Sequence, residues 1–221
     1  MHVKSDIYRF DPVTDTEGRY EQYACEADPT ETILDILLRV YHASQPSLSF
    51  RFACGVVKCG ECAVSVNGIP CLACEKKVEP ELKIDPLPGL PLIKDLAIDR
   101  RKAFNHIFEL LPELSGKLEI KDKWKPVDPE TTDRHVQLTR CFECLMCQSV
   151  CPVFARMPEK FVGPLGLLWL AQMSLHPKTG AAVEQYARPA LETCTRCGAC
   201  SDVCPCSEEI LDLAIETLEK R

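Results

Sequence analysis

No stretch of about 18 consecutive apolar residues occurs in this chain, so the sequence offers nothing of the length that spans a bilayer. The longest apolar run, "GPLGLLWLAQMSL" (Gly163–Leu175), is too short, carries Gln172, and reads as a buried core helix. A surplus of cations is also missing. Lys and Arg number 26 against 33 Asp and Glu, a net charge of -7, which excludes nucleic acid as an expected partner. The first residues, "MHVKSDIYRFDP", lack the charged-then-apolar pattern of a secretory leader. They predict a cytosolic chain, or one held at the cytosolic face of a membrane through partners. The five histidines (His2, His42, His106, His135 and His176) are scattered, with no HExxH or paired pattern. No glycine-rich nucleotide loop is present. Acid–base, nucleophilic and nucleotide chemistry therefore find no constellation here.

What the chain has in excess is cysteine: fifteen in 221 residues. In a reducing compartment that density points to thiolate-bound metal and not to disulfides. Three groupings stand out. In "FRFACGVVKCGECAVSVNGIPCLAC", Cys54, Cys59 and Cys62 follow a C-x4-C-x2-C spacing with a further cysteine downstream, the plant-type [2Fe–2S] arrangement. Gly55 and Gly60 allow a tight turn around the inorganic core. On spacing alone either Cys71 or Cys74 completes the set. A structural zinc site is the plainer alternative.

The other two groupings repeat one another. Cys141, Cys144, Cys147 and Cys151-Pro152 make C-x2-C-x2-C-x3-C-P, and Cys194, Cys197, Cys200 and Cys204-Pro205 make it again. This is the bacterial two-cluster ferredoxin run, whose fourth cysteine serves the other cluster. One [4Fe–4S] set is then Cys141, Cys144, Cys147 and Cys204. The other is Cys151, Cys194, Cys197 and Cys200. Zinc competes poorly with two interleaved runs. Cys25, Cys71 and Cys206 are surplus to the ligand count, and Cys25 reads as a small buried hydrophobe.

The texture changes along the chain. Up to about residue 95 it reads as short strands with one helix: strands at Val3–Phe10 and Arg19–Ala27, and a strand from Cys62 ending at the turn signal Asn67-Gly68. The helix, "DPTETILDILLRVYH", has Asp28 as its expected cap, Pro29 in first position and Glu31 completing a capping box. Beyond that the chain reads as helical. A helix is expected over Leu96–Leu111, stopping at Pro112, then a charged surface connection over Lys117–Pro129. A final helix is expected with Ser207 as cap, Glu208 and Glu209 in its first turn, and Lys220 and Arg221 in its last.

This order of a plant-type [2Fe–2S] region and a two-run region resembles the iron–sulfur subunit of the succinate dehydrogenase/fumarate reductase family. The likeness extends to "YRFDP" (Tyr8–Pro12), "PSLSFRFACG" (Pro46–Gly55), "NGIPCLAC" (Asn67–Cys74), "PLPGLPLIKDLAID" (Pro86–Asp99) and "KFVGPLGLL" (Lys160–Leu168). The resemblance implies an α+β chain: a β-grasp [2Fe–2S] ferredoxin domain over residues 1–97, then an α-helical two-cluster ferredoxin domain over 98–221. It selects Cys74 as the fourth [2Fe–2S] ligand. It further implies a hetero-oligomer in which a partner flavoprotein holds FAD and the substrate site, while this subunit relays electrons to a quinone or another carrier.

Two departures from the family pattern bear on the acceptor. Most members lack a cysteine at the second position of the second run and hold a [3Fe–4S] cluster there. Cys197 occupies it here, so a [4Fe–4S] cluster is expected. Arg156 and Thr195 stand where the family usually has the tryptophan and histidine that contact quinone. The expected partner is then a membrane anchor or, closer to this pattern, a cysteine-rich subunit akin to heterodisulfide reductase. An acyl-succinate dehydrogenase, a glycerol-3-phosphate or heterodisulfide-type flavin complex, and a free-standing cluster store are the competing readings.

Overall fold

The computed structural model describes residues 1–43, 47–110, 126–177, 180–206 and 209–220. Two compact units make up the chain: Met1–Arg100 with Phe142–Ser149, and Arg101–Cys141 with Val150–Arg221. Among the described residues no helix is long and apolar enough to cross a membrane.

The first unit is built on a five-stranded mixed sheet. Strands β1 (His2–Arg9) and β2 (Arg19–Glu26) form an antiparallel hairpin. Alternation along β1 buries Val3, Ser5, Ile7 and Arg9 and turns the residues between them outward, as a half-buried strand requires. Helix α1 (Ile33–Ala43) crosses over next, with Ile33, Leu34, Ile36, Leu37 and Val40 on its buried face. β3 (Ala63–Val66) and β4 (Ile69–Leu72) follow as a second hairpin, and β5 (Glu81–Asp85) runs parallel to β1. The strand order is β2-β1-β5-β3-β4. β3 is buried at all four positions, so its apolar run Ala63-Val64 and Val66 is accounted for. A two-stranded ladder of β6 (Leu92–Lys94) and β7 (Ala97–Ile98) completes the unit.

The sequence expectation for the hairpin turn holds: Asn67 and Gly68 take φ of 51° and 83°, the positive pair that a two-residue turn needs. The expected start of the first helix is corrected. Asp28 Oδ1 accepts from the Thr30 amide at 2.8 Å and Glu31 Oε2 accepts from the Asp28 amide at 3.0 Å, so this capping box closes a separate turn. The helix begins four residues on. There the Asp35 carboxylate accepts from the Thr32 amide at 2.7 Å while Thr32 Oγ1 accepts from the Asp35 amide at 3.3 Å.

The second unit is helical. Helix α2 (Arg100–Leu110) starts later than the sequence suggested, because Ala97 and Ile98 are taken by strand β7. Its expected end at Leu111 and Pro112 lies outside the described residues, as do residues 117–125 of the expected connection. Pro129, read as the end of that connection, opens helix α3 (Pro129–Leu138), capped by Asp128 accepting from the Thr131 amide at 2.9 Å. Two short helices, α4 (Met146–Val150) and α5 (Pro152–Arg156), frame the end of the first cysteine run.

Helix α6 (Gly163–Leu175) is the expected core helix, apolar nearly all round and buried along most of its length. It packs against α7 (Gly180–Thr193) and α9 (Ile210–Glu219). Between these two lies the one-turn α8 (Ala199–Asp202). Ser207, Glu208 and Arg221, expected at the ends of the last helix, lie outside the described residues. Glu209 stands at the cap position of α9 without a side-chain bond to it.

Candidate metal centres

The first cysteine loop runs between Leu48 and β3. Its backbone turns through positive φ at Gly55 (66°), Val57 (55°) and Gly60 (67°). A β-branched residue in that region is strained by about 1–2 kcal/mol, so the loop is held in shape against local preference. The curl aims amides at sulfur: Cys54 Sγ accepts from the Val56 and Lys58 amides, each at 3.4 Å. Those amides draw the Cys54 thiol down to about 7. Cys59 is near enough to Cys54 to help lower its thiol, and Cys74 and Cys59 both act on the thiol of Cys62. Cys54, Cys59, Cys62 and Cys74 are thus linked neighbour to neighbour. Burial pushes the Cys62 thiol up to about 12, and a bound metal ion would favour its thiolate form.

Cys71 sits apart from that group. It lies in β4 opposite Val64, and its thiol is pushed up to about 12 by burial, with only Lys76, Glu75 and Glu79 acting on it. Cys25 lies in β2 beside Arg39, whose Nη1 is 3.6 Å from its sulfur.

The two later runs share a backbone signature that the sequence did not disclose. In the first, Glu143 and Leu145 take φ of 54° and 68°. In the second, Arg196 and Gly198 take 53° and 78° at the corresponding positions. Three of these four are not glycine, so both runs store left-handed strain just after their first and second cysteines. This conformation turns an amide onto the first thiol: the Arg196 amide donates to Cys194 Sγ at 3.5 Å.

Cys151, Cys194, Cys197 and Cys200 line one cavity of about 40 Å³, together with Phe161, Leu167, Thr195 and Leu211. Cys151, from the end of the first run, therefore keeps company with the first three cysteines of the second. It caps α5, accepting from the Phe154 amide at 3.4 Å. Burial raises the Cys151 thiol and pushes Cys200 up to about 11. Cys197 is the exposed member of the four.

Cys144 and Cys147 belong to the first unit, Cys141 and Cys204 to the second. No three cysteine, histidine or carboxylate side chains among the described residues converge on a single-ion site. The donor sets are all-thiol and lie in left-handed loops; Cys54, Cys151 and Cys194 accept amide hydrogen bonds at sulfur, and the Cys151 cavity has apolar walls. That chemistry fits iron–sulfur clusters, which are held by thiolates and tuned by such amides.

Arg156 ends α5 and is exposed, while Thr195 lies at the edge of the Cys151 cavity. Trp169 of α6 stacks on Phe108 (5.2 Å between centroids) and lies 5.8 Å from Phe104.

Comparison with known proteins agrees with this chemistry. A 2Fe-2S iron-sulfur cluster binding domain family matches residues 4–105, and a 4Fe-4S dicluster domain family matches residues 137–207. A fumarate reductase (CoM/CoB) chain of Methanothermobacter marburgensis is 31% identical over 98% of this chain and 43% of its own length. An uncharacterised iron-sulfur protein of Methanocaldococcus jannaschii is 33% identical over 85% of this chain and 38% of its own length. The chain thus spans about two fifths of these two methanogen relatives. The fumarate reductase iron-sulfur subunit of Escherichia coli O6:H1 is 27% identical over 92% of this chain and 86% of its own. Among solved structures, a chain of the Mycobacterium smegmatis Sdh1 complex in the apo form is similar with a TM-score of 0.85 at 27% identity, covering 100% of this chain and 95% of that one. The chain thus carries a 2Fe-2S cluster binding domain followed by a 4Fe-4S dicluster domain, and along nearly its whole length it is similar to fumarate reductase iron–sulfur subunits and to a chain of the Sdh1 complex.

Proposed function

We propose that this chain is the electron-transfer subunit of a succinate dehydrogenase/fumarate reductase-type complex. It carries electrons between an FAD on a partner flavoprotein and a second carrier. The observation that supports this best is the cavity that Cys151 shares with Cys194, Cys197 and Cys200. Exchange of fourth cysteines between two runs suits two clusters kept near one another, which is what a relay needs. Bound clusters supply one-electron redox centres, and the chain's own residues hold and tune them.

The ligand sets are Cys54, Cys59, Cys62 and Cys74 for [2Fe–2S], and Cys141, Cys144, Cys147 and Cys204 for one [4Fe–4S]. Cys151, Cys194, Cys197 and Cys200 hold the third cluster, also [4Fe–4S], with the two ferredoxin domains taken as residues 1–97 and 98–221. Amides of Val56, Lys58, Arg196 and Phe154 stabilise negative charge on sulfur. In this reading the substrate site belongs to the partner flavoprotein, and this chain's part is to hold the clusters.

The acceptor side favours a cysteine-rich subunit over a quinone-binding anchor. Arg156 and Thr195 replace the usual quinone contacts, Cys197 favours a lower-potential third cluster, and one relative is named for CoM and CoB. The complex would then meet the cytoplasmic face of the membrane through its partners.

The test is anaerobic purification through this chain, with mass spectrometry of what accompanies it. An FAD protein together with a cysteine-rich subunit is the expected composition. An FAD protein with a multi-helix anchor would replace the acceptor assignment. Absence of any flavoprotein would remove the proposal.

A further inference from the structure

Within the first unit, the [2Fe–2S] loop touches the loop that carries Cys144 and Cys147. A Cβ placed on Gly60 would stand 2.6 Å from the Phe142 carbonyl oxygen, 2.8 Å from Cys144 Cβ and 3.0 Å from Cys144 Cα. Two of these three are backbone atoms with little room to yield. The φ of Gly60, +67°, would strain any other residue as well. One side chain ties the same two loops. Arg100, nearly buried, donates from Nη1 to the Gly60 carbonyl at 3.3 Å and from Nη2 to the Glu143 carbonyl at 2.8 Å. Its Nε lies 3.3 Å from Glu61 Oε1, and the other Glu61 oxygen is held by Arg51 Nε at 2.8 Å. Glu143 is one of the left-handed residues, so the carbonyl that Arg100 grips belongs to a strained turn.

We propose that Gly60 and Arg100 are positioning residues that fix the spacing between the loop of the [2Fe–2S] centre and the loop of the adjoining [4Fe–4S] centre. This rests on the relay reading above. Electron tunnelling falls off steeply with distance, so a missing side chain at position 60 and a planar fork that grips both loops at once hold the gap at its shortest. A lysine keeps the charge of Arg100 but cannot donate to two carbonyls and a carboxylate in fixed directions.

The test uses the anaerobically purified complex with Gly60→Ala, Arg100→Gln and Arg100→Lys. Arg51→Gln serves as the variant that loses a Glu61 contact without touching the second loop. Iron and sulfide per chain are counted first. Microwave-power saturation of the reduced [2Fe–2S] resonance is then read with the neighbouring cluster reduced, since the relaxation it receives reports their separation. Gly60→Ala and Arg100→Gln should keep their clusters yet saturate at severalfold lower power. Arg100→Lys should fall between them and wild type, and Arg51→Gln should match wild type. Unchanged saturation in Arg100→Gln with intact clusters overturns the positioning role. If Arg100→Gln loses its clusters, Arg100→Lys decides: a shifted curve supports the role, a wild-type curve overturns it. A wild-type chain whose two signals do not interact would instead overturn the relay reading.

Discussion

Arg9 and Asp95, 86 residues apart in sequence, form a buried ion pair, with Nε 3.1 Å from Oδ1 and side chains only 5% and 2% exposed. The carboxylate also accepts from the Phe10 amide at 2.9 Å and the Ser49 amide at 2.8 Å. It thereby joins the end of β1, the β6–β7 turn and the segment leading into the first cysteine loop. Removing it leaves a buried guanidinium that retains Glu21, Tyr23 and Ser47 but has lost a charge partner. Asp95→Ala should cost about 3 kcal/mol in urea unfolding. A loss below about 1 kcal/mol, the worth of an ordinary hydrogen bond, would show that the pair does not organise this corner.

At the start of α1 the capping exchange involves Thr32 and Asp35. Thr32→Ala should lower stability by about 1 kcal/mol. Asp28→Ala, which opens only the preceding turn, should leave the helix signal in circular dichroism unchanged. Equal helix loss from both would restore Asp28 as the helix cap.

Thiol reactivity should follow the local environment in the chain stripped of metal. The Val56 and Lys58 amides bring Cys54 down to about 7, while burial pushes Cys71 up to about 12. The thiolate is the form that reacts, and its fraction grows as pH rises through the pKa. Iodoacetamide should therefore label Cys54 with a half-rise near pH 7 and leave Cys71 unlabelled at pH 8. Metal loading should protect Cys54. Early labelling of Cys71, read by peptide mass spectrometry, would contradict this ordering.

With the ligand set proposed above, Cys197 decides the composition of the third cluster. Cys197→Ser should convert a silent oxidised centre into one with a [3Fe–4S] resonance in electron paramagnetic resonance, with iron falling by about one per chain. The unmodified protein, kept anaerobic, should give no such signal. A full-intensity [3Fe–4S] resonance before any substitution would refute the assignment.

The parts of this molecule legible in sequence are those fixed by local chemistry. The cysteine spacings, the Asn67-Gly68 turn and the largely apolar α6 each follow from residues close together in the chain. Misread boundaries came from competition. Asp28 and Glu31 satisfy one another in a turn of their own, and Ala97 and Ile98 leave the helical pattern because Leu92 and Lys94 offer them a strand partner. The Arg9–Asp95 pair and the Arg100 grip on Gly60 and Glu143 join residues 40 to 86 apart, with no pattern to announce them. The left-handed turns at Glu143, Leu145 and Arg196 run against residue preference, so propensity pointed away from them.

The central claim is that this chain carries one [2Fe–2S] and two [4Fe–4S] clusters on its twelve assigned cysteines. The most direct measurement is iron and acid-labile sulfide per chain, with elemental analysis for zinc, on the full chain purified without oxygen. The account predicts about ten irons and about ten sulfides per chain, with no zinc. A few zinc ions per chain and no sulfide would contradict it.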